Sequence, residues 1–319
     1  MTRLAPIVAL FVDVAACAAV PAEVRFKPNN CTDQVFITAP PPERRPASGR
    51  RPEPARQSTA ANAPSTAARP GPDNTGPNAP GALAAYAGPP IITVAGTVIE
   101  NARVTGKITV RAANVTLRNF VIDAGGASYG VDCNDPSAAG LMVEDGEILN
   151  VASAAVYGYG CTLRRLNIHD SNGDGVKPNG SDFVMEACWV SRLGRGKGAH
   201  ADGVQVRNVS DSRDFTGLVF RGNHFDMPVN APAPYKSNAC IYLQDETENA
   251  GRILGAVIEN NWLNGGNYTL DFRGGQQEGH VVTGNRFGRD YRYGPVRGGA
   301  EAAEWSGNVF ADDGARIIR

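Results

Sequence analysis

Gly217-Leu218-Val219-Phe220-Arg221-Gly222-Asn223-His224-Phe225, Gly255-Ala256-Val257-Ile258-Glu259-Asn260-Asn261-Trp262-Leu263 and Gly279-His280-Val281-Val282-Thr283-Gly284-Asn285-Arg286-Phe287 repeat one pattern. Each carries an apolar triplet whose first and third members share a face, because strand side chains alternate. An asparagine follows, then a further apolar residue. Outward from these stretches the triplet recurs at Val115-Thr116-Leu117, Leu141-Met142-Val143, Cys161-Thr162-Leu163 and Phe183-Val184-Met185. The later apolar position recurs at Ile122, Ile148, Ile168 and Val190, and at Phe310 after Trp305. Such internal repeats mark a solenoid in which each turn of chain stacks on the last. Residues 91–319 therefore predict an all-β, single-stranded parallel β-helix of about nine to ten coils, each of roughly 20 to 26 residues.

A third column lies between the other two: Phe120, Gly146, Leu166, Cys188, Asn223, Asn261, Asn285 and Asn308. Its four asparagines resemble the asparagine ladder of pectate-lyase-type β-helices. There, side-chain amides bond from coil to coil at a bend that tolerates left-handed backbone. Two intervals in the column, Cys188 to Asn223 and Asn223 to Asn261, are longer than the rest. Extra residues in a solenoid leave as loops, so Leu193–Ala199, Asn208–Thr216, Pro228–Ser237 and Thr247–Arg252 are expected to wall a groove.

Composition agrees with many short strands: 37 glycines, and aromatics at only 7%. The net charge of −1 gives no electrostatic footprint for nucleic acid. Residues 1–22 resemble a secretory signal peptide, too short and interrupted for a membrane span. Val14-Ala15-Ala16-Cys17 resembles a lipoprotein box. The expected location is therefore secreted or periplasmic, or lipid-anchored at an outer surface. Residues 23–38 form a short segment, and the Pro/Ala-rich stretch 39–90 reads as a disordered linker. Six cysteines show no metal-ligand spacing. A disulfide is compatible with export, while Cys161 and Cys188 suit small buried positions.

Around the loops the strands align as Val131-Asp132-Cys133-Asn134, Val156-Tyr157-Gly158-Tyr159, Val176-Lys177-Pro178-Asn179, Val204-Gln205-Val206-Arg207, Ile241-Tyr242-Leu243-Gln244 and Leu270-Asp271-Phe272-Arg273. Their second and fourth members point outward. They form a polar stripe of two rows, Asp132, Tyr157, Lys177, Gln205, Tyr242 and Asp271 beside Asn134, Tyr159, Asn179, Arg207, Gln244 and Arg273. Tyrosines offer flat faces to sugar rings, amides read hydroxyls, and the cations meet carboxylates. His200 closes the Gly-rich basic loop Arg195-Gly196-Lys197-Gly198 beside the stripe. An imidazole there is a candidate general base.

The turns Asn172-Gly173-Asp174-Gly175 and His200-Ala201-Asp202-Gly203, with the repeats, resemble the pectin-lyase-like superfamily of right-handed parallel β-helices over roughly residues 92 to 315. The resemblance implies polysaccharide chemistry on the helix face and, as in many of its lyases, Ca2+, for which Asp174, Asp202 and Asp245 offer oxygens. The Gly-His-Gly and Arg-Ile-Lys signatures of polygalacturonases are absent.

Two catalytic readings follow. In a lyase acting on a uronate chain, Arg207 and Arg273 neutralise the carboxylate, Lys177 or His200 is the base and Tyr242 the acid. In an inverting hydrolase the carboxyls come from Asp174, Asp202 and Asp271. The third reading is a non-catalytic glycan-binding protein. The expected partner is an anionic polysaccharide, and the expected state a monomer.

Overall fold

A computed structural model describes residues 68–208, 213–245, 251–275, 277–300 and 302–319. Residues 1–22 with Cys17, the 23–38 segment and residues 39–67 lie outside the described residues. So do parts of the Asn208–Thr216 and Thr247–Arg252 loops.

The chain is a right-handed parallel β-helix. Nine parallel strands make one face: Ile91–Ile92, Ile108–Val110, Tyr129–Cys133, Ala154–Gly158, Asp174–Pro178, Ala201–Asn208, Ser237–Asp245, Tyr268–Arg273 and Gly294–Arg297. A larger parallel sheet makes the rest of the wall. Its early strands, such as Val98–Thr105 and Leu141–Leu149, run through a corner unbroken. Later coils break there into two short strands, such as Cys161–Arg164 and Asn167–His169. The repeats set the core. Leu117, Val143, Leu163, Met185, Phe220, Ile258 and Val282 stack on successive coils, each no more than 1% exposed. Burying each such side chain is worth about 1.5 to 3 kcal/mol.

At the corner the amide column is a ladder. The backbone N–H groups of Asn223, Asn261 and Asn285 donate to Oδ1 of Asn261, Asn285 and Asn308 at 2.9, 3.0 and 3.1 Å. Each Nδ2 donates to a carbonyl of the preceding coil, as Asn261 does to Phe220 at 2.9 Å. Cys188 prolongs the column. Its N–H donates to Asn223 Oδ1 at 2.9 Å, and its sulfur accepts from the Leu166 N–H at 3.4 Å. Burial pushes this thiol up to about 12, which keeps it neutral. The left-handed backbone belongs to the residue before the ladder, not to the ladder itself. Asn101, Asn119, Asp145, Arg165, Ala187 and Asn260 have φ from 49° to 56°. That geometry turns the chain so that the next side chain points inward.

Residues 68–90, expected within the linker, lie against the solenoid. Gly76 N–H donates to Arg165 O at 2.8 Å, His224 Nδ1 is 2.8 Å from Pro70 O, and Ala84–Ala85 pairs with Ala102 and Arg103. Composition misleads here because the segment, besides its own turns, bonds to coils far from it in sequence. At the far end the chain turns back. Val309 forms an antiparallel bridge with Arg316, and Ile317 is buried. The first coil instead exposes Ile91, Val94 and Val98 by 53%, 68% and 52%.

Candidate functional site

Strand register brings the outward rows together as the alternation predicts. Asp132, Tyr157 and Lys177 are consecutive neighbours, as are Gln205, Tyr242 and Asp271, and Arg207, Gln244 and Arg273. Val176 pairs with Val204, which joins the halves and puts Asp174 and Asp202 at equivalent positions. Those two acids are where simple alternation fails. Both Gly175 and Val176 face the core: a Cβ on Gly175 would come within 3.1 Å of Val190 Cγ1, and Val176 is fully buried. Two consecutive inward residues bend the strand and carry Asp174 to the same outer side as Lys177. Gly203 does the same for Asp202, since a Cβ there would meet the Phe225 ring at 2.4 Å.

Asp174 accepts from the Asp202 N–H at 2.7 Å and pairs with Lys177 Nζ at 2.9 Å. Lys177 also donates to Ser153 Oγ at 3.0 Å. Asp202 is fully buried, and its two oxygens accept from Gln205 Nε2 and Asn238 Nδ2, each at 2.9 Å. Asn267 in turn donates to Asn238 at 2.9 Å. Burial, then the Asp174 carboxylate beside it, raises Asp202 well above the usual carboxylate range. Burial raises Asp174 too, against the opposing pull of Lys177.

In front of the pair lies a cavity of about 290 Å³, lined by Asp174, Lys177, Lys197, His200, Ser153 and Gln205. The Leu193–Ala199 insertion supplies its rim. His200 and Lys197 are exposed, and Asp202 lies behind the lining. Thus four of the expected residues converge: Asp174, Lys177, His200 and Gln205. Lys197, Ser153 and Asn238 were not singled out from the sequence. Lys197 was visible within the basic loop, but Ser153 and Asn238 carry no motif.

The remaining candidates continue the stripe outside the cavity. Tyr157 stacks on Tyr129 with ring centroids 4.5 Å apart, and Asn179 donates to Asn134 at 2.9 Å. Arg207 is exposed, two residues past Gln205 on the same face. Tyr242 is buried, its hydroxyl donating to Gln244 beneath the Arg273 guanidinium, which lies 5.2 Å from its ring. Asp271 is 2% exposed and taken by the Arg297 fork, with Arg273 Nε at 3.6 Å.

The carboxylates expected for calcium do not fit one ion. Asp245 lies at the far end of the strand Ser237–Asp245, whose Ala239 pairs with Asp202. Six residues of strand separate the two positions by about 20 Å. No group of three or more potential metal ligands occurs among the described residues. Nor is any helix among them long and apolar enough to cross a membrane. His169 lies off the groove, between Glu147 at 3.0 Å and Asp170 at 2.7 Å.

No family model matches this sequence, and no curated protein aligns with it. Among solved structures, the tailspike protein of E. coli bacteriophage HK620 in complex with a pentasaccharide is 14% identical, with a TM-score of 0.42. The alignment covers 66% of this chain and 48% of that one. A mutant of the same tailspike in complex with a hexasaccharide is 13% identical, with a TM-score of 0.40, over 68% of this chain and 47% of that one. This chain spans about half the length of these proteins.

Proposed function

We propose that this protein binds an anionic polysaccharide along the nine-stranded face and cleaves it by β-elimination at a uronate seated in the Lys177–His200 cavity. One observation carries the reading: an ammonium held beside Asp174 and an exposed imidazole line the same polar cavity. Lys177 neutralises the uronate carboxylate, which acidifies the C5 proton. With Lys177 committed to charge, His200 is the base that removes that proton. The C4–O4 bond breaks as the C4=C5 double bond forms. The imidazolium then returns its proton to the departing oxygen. Arg207 and Arg273, further along the stripe, meet carboxylates of neighbouring sugars. Tyr242 is not given the acid role, because its hydroxyl is buried against Gln244.

The hydrolase reading is weaker on the same geometry. Asp174 and Asp202 sit on adjacent coils about 4.8 Å apart, short of the roughly 6.5 to 9.5 Å that inversion needs. Asp202 has no exposed surface, and Asp271 is held by Arg297.

The test is to incubate the protein with a panel of uronate polymers and follow the ultraviolet absorbance of the unsaturated uronate, which only elimination creates. His200→Ala should lower turnover by about 10²-fold or more with glycan affinity retained. New reducing ends without that absorbance would favour hydrolysis. Binding with no cleavage would leave a glycan-binding protein.

A further inference from the structure

The Pro228–Ser237 insertion does not stand beside the polar stripe. It folds over the outer face of the larger sheet and encloses a separate cavity of about 270 Å³. The floor is the strand Trp189–Ser191, in which Val190 faces the core, so Trp189 and Ser191 point outward beneath the loop. Ser191 lies in register with Asp226 of the neighbouring strand. Pro228, Pro232 and Tyr235 form the roof. Tyr235 donates to Asp170 at 2.5 Å, and Arg192 donates to the same carboxylate through Nε and Nη2 at 3.0 and 2.8 Å. The roof is thereby tied to the coil below it.

Two donors in this floor are unsatisfied. Trp189 Nε1 and Ser191 Oγ are buried without a hydrogen-bond partner among the described residues, and Ser191 is only 2% exposed. A buried indole N–H or hydroxyl ordinarily finds an acceptor, because an unpaired one has given up its bond to water without replacement. Leu193 and Met227 supply apolar wall, and Asp226 supplies one acceptor. A fitting ligand must therefore bring an acceptor for two donors, a small apolar group, and a donor for a carboxylate. An acetamido group has all three, in its carbonyl oxygen, its methyl and its N–H. The volume is close to the lower end of small-ligand sites, about 300 Å³, which suits one sugar rather than a chain.

We infer that this cavity is a binding site for an N-acetylated amino sugar, held by its acetamido group against Trp189, Ser191 and Asp226. The site lies on a different face from the Lys177–His200 cavity and stands independently of the elimination chemistry. Equilibrium binding of N-acetylglucosamine and N-acetylgalactosamine to the full chain tests it, with methyl glucoside and methyl galactoside as probes lacking the acetamido group. At least one acetamido sugar should bind saturably, and the matching glycoside about 10-fold or more weaker. Ser191→Ala and Trp189→Phe, which keeps an aromatic ring but removes the N–H, should each weaken binding by about 10-fold, the loss of one hydrogen bond to a buried donor. Ser191→Ala keeps the test decisive if the Trp189 variant fails to fold. No saturable binding of either acetamido sugar, equal binding of the glycosides, or full affinity in Ser191→Ala would overturn the assignment.

Discussion

Asn261 and Asp202 are both fully buried on the same solenoid, and each is bonded to the equivalent residue of an adjacent coil. The amide column can repeat because every asparagine both donates and accepts, so identical neighbours satisfy one another. A carboxylate only accepts, and stacking two of them at the same spacing sets like charges together. The acid column therefore stops after two coils, and Lys177, Gln205, Asn238 and a backbone N–H converge to hold it. A buried polar column long enough to repeat is scaffold. A short one that needs unlike partners marks a place where charge is managed.

Asn261→Ala should be the most damaging substitution in either column. The side chain donates to Phe220 O and Asn285 Oδ1 and accepts from the N–H and Nδ2 of Asn223. Truncation orphans several buried groups at about 1 to 3 kcal/mol each. The urea midpoint should fall steeply, and an unchanged midpoint would show that the column contributes nothing to stability.

Asp202→Asn should act in the opposite direction and more modestly. The folded chain holds the Asp202 proton to higher pH than the unfolded chain does. The native state therefore binds more protons as pH rises from about 4, and stability falls through that window up to the raised pKa. The asparagine variant should lose this slope and melt higher at neutral pH, with Gln205 turning its amide to match. Melting curves across pH check it, and parallel slopes in the two proteins would refute the buried neutral acid.

Asp170 gives a contrasting expectation on the same axis. The Arg192 fork, with help from Tyr235 and His169, depresses its pKa far below the usual range. Its contribution is complete above about pH 4 and is lost as pH falls toward the depressed value. Asp170→Asn should remove that acid-side loss while loosening the Tyr235 roof, which protease cleavage within 228–237 would report. The smallest effect belongs to the corner itself. Ala187 has a φ of 53°, so Ala187→Gly should stabilise by up to about 1 kcal/mol, measurable as a small rise in melting temperature.

The repeats made the solenoid legible because the apolar columns and the amide column each recur with strand periodicity. The stripe followed from the same alternation, and Gln205, Tyr242 and Asp271 stand in register on adjacent strands. Alternation could not place Asp174 and Asp202, because Gly175 and Gly203 let two consecutive residues turn inward, and that bend leaves no mark except glycine itself. The loops were legible as insertions but not as directions. The one containing Tyr235 turns toward Asp170, an acid far away in sequence. Residues 68–90 were misread for a related reason, since their partners lie on coils that composition does not see.

The antiparallel turn at Val309 and Arg316 has a consequence for assembly. A parallel solenoid is a template at both ends, and two copies stacked head to tail would generate an open fibre. The returning segment sets one reversed bridge against an edge of that end, opposite to the direction a further parallel coil needs. What remains available is the opposite end, where Ile91, Val94 and Val98 are exposed. Contact between two such ends would be self-complementary and close on itself, whereas head-to-tail stacking would have to meet the reversed segment at the other end.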